Sequence, residues 1–250
     1  MAMKIFICID DTDNIDSKGT GEIAVEIAIS IESNYGGTCQ GVTRHQLFIH
    51  PDIPYTSHNS SMCFEADINS NDLEKVIHAA IHILHTESAE GSDPGLCVFV
   101  PEQLTQHQQQ EIIHFGFKAK QEVLTKEDAY KLANSLSIHL SEHGGTGQGV
   151  IGALAGVGLR LTGNDGRFKG KHKENPSKKI ATVNEIIEDT TIEIVRTQAG
   201  FILDGNECIT LGDKLKSVYL DYKSVLLVES VNVNGSHIWM PCAGGTLKEY

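Results

Sequence analysis

Asp10, Asp11 and Asp13 follow directly on an apolar run, Phe6-Ile7-Cys8-Ile9, with Thr12 set among them. Carboxylates crowded at the end of a buried strand repel one another and lose hydration, and a bound cation removes that cost. Oxygen donors of this kind suit a hard ion such as Mg2+, which retains water and carries nucleotide phosphates. In an open α/β sheet, the carboxyl end of such a strand is also where ligands bind. The alternative is an ordinary solvated turn, for which Asp, Asn and Thr are common residues.

Two Gly-rich segments could offer backbone amides to an anion. One is Ser17-Lys18-Gly19-Thr20-Gly21, just beyond the acids. The other, Gly144-Gly145-Thr146-Gly147-Gln148-Gly149, runs into the small-residue helix Val150-Ile151-Gly152-Ala153-Leu154-Ala155. The second segment is not a nucleotide P-loop, because no Gly-Lys-Ser/Thr closes it. Nor is it a clean dinucleotide fingerprint, since a helix is predicted ahead of it. Its glycines would serve tight helix packing equally well. A polar run, Thr56-Ser57-His58-Asn59-Ser60-Ser61, suits hydrogen bonding to a ligand better than core packing. Thr20 is either a hydroxyl held close to a phosphate or a helix N-cap. His78, His82 and His85 share one predicted helix face, which is either a metal face or a solvated one. Arg167, Lys169, Lys171, Lys173, Lys178 and Lys179, around Gly170 and Pro176, form either a solvated linker or a basic loop that closes over phosphate.

The elements that must hold these groups follow from periodicity. A strand over 3–9 leads through the acidic turn to a helix over 22–33, with Ile23, Ile27 and Ile31 spaced by four. Strands are expected at 43–49 and 61–66, and an amphipathic helix over 71–87 with Asn71 and Glu74 as its capping signal. A short buried strand over 96–100 follows. The glutamines of 106–110 belong to a helix face. Thr125 opens another helix, with Ala129, Leu132, Ala133, Leu136 and Leu140 buried, running to Gly144-Gly145. Beyond the basic segment, short strands at 191–196, 200–203, 217–220, 223–228 and 237–240 are separated by turns. The expected fold class is α/β: an α/β domain over 1–166, a basic linker or loop over 167–180, and a small β-rich module over 181–250.

The 250 residues are 40% hydrophobic, enough for a sizeable core, and no stretch approaches the roughly 20 apolar residues of a membrane span. Six scattered cysteines without CxxC spacing argue against a zinc ribbon and for reduced thiols in a cytoplasmic protein; no signal peptide is expected before Met3-Lys4-Ile5. The formal net charge of -13 disfavours wide, non-specific nucleic-acid binding. It leaves room for a small anion delivered with Mg2+.

Four segments, in order, resemble the catalytic domain of the TiaS family, the archaeal tRNA-isoleucine agmatinylcytidine synthetases. Ile9-Asp10-Asp11-Thr12-Asp13 is similar to that family's GIDDTD signature. Within 44–60, Ile49-His50-Pro51-Asp52-Ile53-Pro54-Tyr55 resembles its LNPxIPW run. Asp93-Pro94-Gly95 resembles its NPG, and Gly149-Val150-Ile151-Gly152-Ala153-Leu154-Ala155 its GRGVIGALA. The resemblance spans residues 3–165. It implies a kinase-like domain that uses Mg2+ and ATP, phosphorylates a threonine of its own and activates an anticodon cytidine for attack by agmatine. Asp10, Asp11 and Asp13 would then bind metal. Thr12, Gly19, Asn59, Gly147 and Gly149 would bind the nucleotide, and Asp11, Thr20 and His58 would act in catalysis. The family's acceptor threonine lies in a CTT sequence, whereas this chain has Gly19-Thr20-Gly21; Tyr55, His58 and Asn59 also depart from the family's pattern. The family's ferredoxin-like, OB-fold and zinc-ribbon parts have no counterpart before Tyr250.

The reading that follows is a cytoplasmic, Mg2+-dependent, ATP-using phosphotransferase or ligase-like enzyme acting on an unidentified small-molecule or nucleic-acid acceptor. Stable binding of whole tRNA by this chain alone is not expected, membrane association is not expected, and an oligomer is compatible with the sequence. The alternatives are true agmatinylcytidine synthesis with a partner supplying tRNA contacts, and a nucleotide- or metal-binding sensor without transfer. A haloacid-dehalogenase-type phosphatase is disfavoured, because its DxDxT motif needs an apolar residue at Asp10 and a threonine at Ile15.

Overall fold

A computed structural model describes residues 1–53, 58–169, 179–212, 215–233 and 235–250. Pro54, Tyr55, Thr56 and Ser57 of the second motif and its polar run, and Gly170, Lys171, Lys173, Pro176 and Lys178 of the basic segment, lie outside the described residues. The chain forms two compact units, Met1–Thr162 and Gly163–Tyr250.

The first unit begins with β1 (Ala2–Asp10), as the apolar run predicts, followed by α1 (Thr20–Tyr35), β2 (Thr38–Cys39), β3 (Thr43–Gln46) and β4 (Ser60–Asn69). Next come α2 (Leu73–Glu87), β5 (Gly95–Phe99), α3 (Gln106–Lys118), α4 (Lys126–Leu136), β6 (His139–Glu142) and α5 (Gly149–Leu161). The strand order is β6-β5-β1-β4-β3, with β2 also against β4, and every pairing is antiparallel. The site at this strand end is therefore not the crevice between parallel strands that an open α/β sheet offers.

Side chains alternate across a strand, and β1 supplies both cores. Ile5, Ile7 and Ile9 join Ile23, Ile27 and Ile31 of α1 and Val76, Ala80 and Leu84 of α2. Phe6 and Cys8 face the other way, into a cluster with Ile112 and Phe115 of α3 and Val150, Ala153, Leu154 and Val157 of α5. The result is helix, sheet and helix in three layers. Cys8 lies level with Cys63 on one neighbour and Cys97 on the other; all three are buried thiols.

Several boundaries differ from expectation, β3 ending at Gln46 rather than 49 among them, and two of the differences have a clear local cause. The expected Asn71 cap is replaced, because β4 runs on to Asn69, whose side chain accepts from the Asn71 amide and caps a short 3-10 turn, Ser70–Asp72; the cap position of α2 itself is Asp72, without a side-chain bond. Helix α4 opens on a Thr125–Asp128 capping box but stops at Leu136, where Ser137 takes a left-handed φ of 55°. Leu140 belongs to β6, which completes the sheet edge against β5 from Val98↔His139 to Gly95↔Glu142. A strand, not a helix, precedes the second Gly-rich segment.

The second unit contains β7 (Arg167–Phe168), β8 (Ile180–Thr182), α6 (Val183–Asp189), β9 (Ile194–Thr197), β10 (Cys208–Thr210), β11 (Val218–Leu220), β12 (Lys223–Val233) and β13 (Ser236–Pro241). Its strands run in the order β7-β11-β12-β13-β10-β8, with β9 parallel to β12. Arg167, expected in the basic linker, pairs with Val218 in this sheet. The expected strand at 200–203 is reduced to one bridge, Arg196↔Ile202. Helix α6, which periodicity did not predict, opens on a Thr182–Glu185 capping box.

Candidate functional site

Strand register brings the candidate residues to one end of the first sheet. Asp10 is the last residue of β1 and lies opposite Gly95, the first of β5, which in turn lies opposite Glu142, the last of β6. On the other side, Ile9 lies opposite Met62, and Gln46 at the end of β3 opposite Ser60 at the start of β4. The acidic turn, His58 and Asn59, the Ser92–Pro94 approach to β5 and the Gly144–Gly149 segment therefore all leave the sheet at the same end.

Glycines let α5 come close to these acids. A Cβ at Gly152 would lie 1.7 Å from Asp10 Oδ2, and one at Gly149 would lie 3.0 Å from the Asp10 carbonyl and 2.2 Å from that of Asp93. The packing role of these glycines is thus real, and it is what sets the first turn of α5 against Asp10. Amide groups there favour negative charge.

The acids perturb one another. Burial, then the charges of Asp11 and Asp13, hold the Asp10 carboxyl well above its ordinary range, against the pull of a hydrogen bond from the Asp11 backbone. Asp11 is pushed up to about 6 by burial and by the charges of Asp93 and Asp13. Thr12 is fully buried and its Oγ1 has no hydrogen-bond partner, while its carbonyl accepts from the Ala89 amide at 2.9 Å. Gly19 approaches Asp13: a Cβ there would stand 3.6 Å from Asp13 Oδ2. Lys18 is engaged with Glu26 at 2.8 Å and with Glu87, which fixes the first Gly-rich loop to α1 and α2.

Thr20 is buried and occupies the first position of α1, and the cap position belongs to Gly19. The N-cap reading of Thr20 is therefore corrected: its side chain caps nothing. Asn59 Nδ2 donates to the Phe48 carbonyl at 2.6 Å, and the Asn59 carbonyl accepts from Leu47 N at 2.9 Å and Gln46 Nε2 at 2.7 Å. Asn59 thus ties the base of the loop joining β3 to β4. His58 is exposed beside it.

Among the described residues, no three His, Cys, Asp or Glu side chains converge on a metal position as they stand. An ion that keeps its water and borrows phosphate oxygens needs only one or two carboxylates. Asp10 and Asp11, each raised in pKa by burial and by its neighbours' charge, and the orphaned Thr12 hydroxyl are hard-oxygen groups whose chemistry would suit Mg2+. The α2 histidines gather into no metal-holding group of three among the described residues. Instead His85 meets the ring of His143 edge-on at 5.1 Å, and His143 Nε2 and His139 Nε2 share Ser141 Oγ at 2.7 and 3.0 Å. Burial, then His85 and His139, pull His143 down to about 4.

The sequence does not single out Asp93 as a separate site residue. Its carboxylate accepts from both the amide of Thr146 and, at 2.7 Å, its hydroxyl, and its carbonyl accepts from Gly149 N at 3.1 Å. Gly145 and Gly147 have φ of 53° and 77°, and side chains there would overlap Asp93 Oδ1 and Glu142 Oε2. Lys126 closes the far side, donating to Glu142 Oε2 and the Thr146 carbonyl, each at 2.9 Å. The one signal in the sequence is an acid immediately before the Pro-Gly that opens β5.

A six-stranded antiparallel sheet between helix layers, with its acidic strand end facing a Gly-rich helix start, defines a mixed α/β domain with a polar site at one sheet end. Among solved structures, the fold is shared with TiaS. The chain is similar to a tRNA fluorescent labeling enzyme (TM-score 0.53, 25% identity, covering 62% of this chain and 36% of that one). It is similar to TiaS in complex with its isoleucine tRNA and ATP (0.53, 24%, 62% and 36%), and to TiaS with the same tRNA, AMPCPP and agmatine (0.53, 21%, 75% and 44%). The chain thus spans well under half the length of these proteins, and the likeness establishes a TiaS-like fold. No protein-family model matches the chain, and no curated protein sequence matches it. No helix among the described residues is long and apolar enough to cross a membrane.

Proposed function

We propose that the chain is a Mg2+-dependent, ATP-using phosphotransferase of the TiaS catalytic-unit type, working in the cytoplasm. The observation that carries this reading is the meeting of Asp10–Asp13 with the Asp93–Gly149 region at one sheet end, in a fold whose solved relatives include an ATP complex. Asp10, Asp11 and Asp13 would hold Mg2+, which when bound neutralises charge on the phosphates. Thr12, Gly19, Gly147 and Gly149 would line the nucleotide, and His58 with Asn59 would orient the acceptor. In the transfer, an acceptor oxygen bonds to the γ-phosphorus, the bond from phosphorus to the β,γ-bridging oxygen breaks, ADP leaves and the acceptor's proton passes to a base.

A tRNA-related acceptor is the second reading, favoured by the likeness to a tRNA labeling enzyme and to TiaS bound to tRNA. Charge limits it. The first unit carries nine Lys and Arg against 21 Asp and Glu, so phosphate-backbone contacts would have to come from a partner.

Thr20 is the candidate self-phosphorylation position, and its burial requires α1 to loosen at its first turn before it can react. The test is incubation with Mg-ATP, following ADP release and mapping phosphate by mass spectrometry. The expected result is ADP release that needs Mg2+ and is lost in Asp10→Asn. Nucleotide binding without any turnover would instead identify a sensor.

A further inference from the structure

The donors that the second Gly-rich segment could offer a phosphate are already turned toward an anion, and that anion is a side chain. The Thr146 amide and Thr146 Oγ1 both donate to the Asp93 carboxylate. An amide and a hydroxyl from one residue, on a loop with two left-handed glycines before a helix, are the donor pair that phosphate-binding loops present. The loop is also shaped around that carboxylate, since any side chain at Gly145 would occupy the place of Asp93 Oδ1. No ion pair of Asp93 is formed among the described residues, and the nearby Lys126 is engaged with Glu142. Asp93 also stands beside the acidic turn. Its carbonyl and that of Asp10 both flank Gly149, and its charge is felt at Asp11.

We propose that Asp93 holds the place of a nucleotide phosphate on the Gly-rich segment: the phosphate displaces its carboxylate from Thr146, and the released carboxylate joins Asp10 and Asp11 at the divalent cation. The inference rests on the nucleotide-binding reading above and adds to it a regulated exchange. Asp93 is a positioning residue before nucleotide arrives and a metal-side residue afterwards. The exchange makes binding of metal and nucleotide mutually dependent, because phosphate without a cation must expel a carboxylate that then faces Asp11 uncompensated.

The experiment is calorimetric binding of AMPPNP to the wild type, Asp93→Asn and Asp93→Ala, each in Mg2+ and in EDTA, with folding checked by thermal melts. Asn keeps an oxygen for the Thr146 amide, so it preserves the loop while removing the charge. The expected result is that both variants bind AMPPNP in EDTA about tenfold more tightly than the wild type, because the charged competitor is gone. The enhancement by Mg2+ should shrink by a similar factor. If Asp93 only fixes the loop, Asp93→Asn matches the wild type in both conditions and Asp93→Ala binds more weakly in both; that pattern overturns the proposal. An undiminished Mg2+ enhancement in the variants overturns the transfer of Asp93 to the cation. A folded wild type that binds AMPPNP in neither condition overturns the nucleotide reading itself, a result separate from any difference among the variants.

Discussion

Asp11 combines a left-handed φ of 53° with a carboxyl pushed up from 3.8 to about 6 by burial and by Asp93 and Asp13. Asp and Asn tolerate that backbone region better than other non-glycine residues. The folded chain binds the Asp11 proton more tightly than the unfolded chain does, so stability falls as pH rises through about 4 to 6 and the loss is complete above 6. Partial exposure reduces the penalty to about 1–2 kcal/mol. Asp11→Asn should therefore stabilise the metal-free protein by that amount at pH 7, and the gain should vanish below about pH 4. Urea unfolding across this pH range is the check; equal stability at pH 7 would mean that neither burial nor the neighbouring carboxylates disfavour the Asp11 charge. The acids were legible in the sequence because three carboxylates after an apolar run are unusual whatever surrounds them. Asp93 was legible only as part of the Asp93-Pro94-Gly95 motif and not as a site residue, because its partner Thr146 lies 53 residues away.

At the level of elements, α5 is the piece on which the site depends. Gly149, Gly152 and Gly156 line its face toward the sheet, and a Cβ at Gly156 would lie 2.4 Å from both Cys8 Sγ and Ser61 Oγ. Replacing glycine by alanine inside a helix gains about 0.5–1 kcal/mol of backbone entropy. Overpacking a close-packed interior costs about 1–3 kcal/mol, and here the obstructing atoms sit on β1 and β4 at the centre of the sheet, where little can give way. Overpacking should win, and Gly156→Ala should lose about 1–2 kcal/mol in denaturant unfolding. An unchanged or raised midpoint would mean that the helix stands further from β1 than its glycines imply. The helices and central strands were readable because their apolar spacing is local. The run from Thr125 reads as helix past Ser137 because Leu136 and Leu140 continue a helical spacing of four. What makes 139–142 a strand is pairing with β5 some forty residues earlier, which no local period reveals.

For the whole molecule, the division of the core is decisive. The two apolar clusters around β1 draw only on residues of the first unit, and the two around β12 only on residues of the second. The most demanding buried group also stays on its own side. Arg160, fully buried in the last turn of α5, donates to the Gly41 carbonyl at 3.1 Å and Thr43 Oγ1 at 2.7 Å, and pairs with Glu65 at 3.5 Å. A buried guanidinium stripped of such partners would cost about 3–5 kcal/mol, so a cut that kept Arg160 but lost them would fail; a cut after Thr162 loses none of these three. The piece Met1–Thr162 is therefore expected to fold alone and to melt in one cooperative transition. It carries an excess of twelve negative charges, which act against compaction and are screened by salt. Its melting temperature should rise as NaCl goes from about 50 to 300 mM, where the Debye length shortens from about 14 to 6 Å. If the nucleotide site lies wholly within this unit, Mg2+ with AMPPNP should raise the melting temperature of the piece as much as that of the full chain. A piece without a cooperative melt, or one stabilised by nucleotide only when residues 163–250 are present, would place part of the site's support in the second unit.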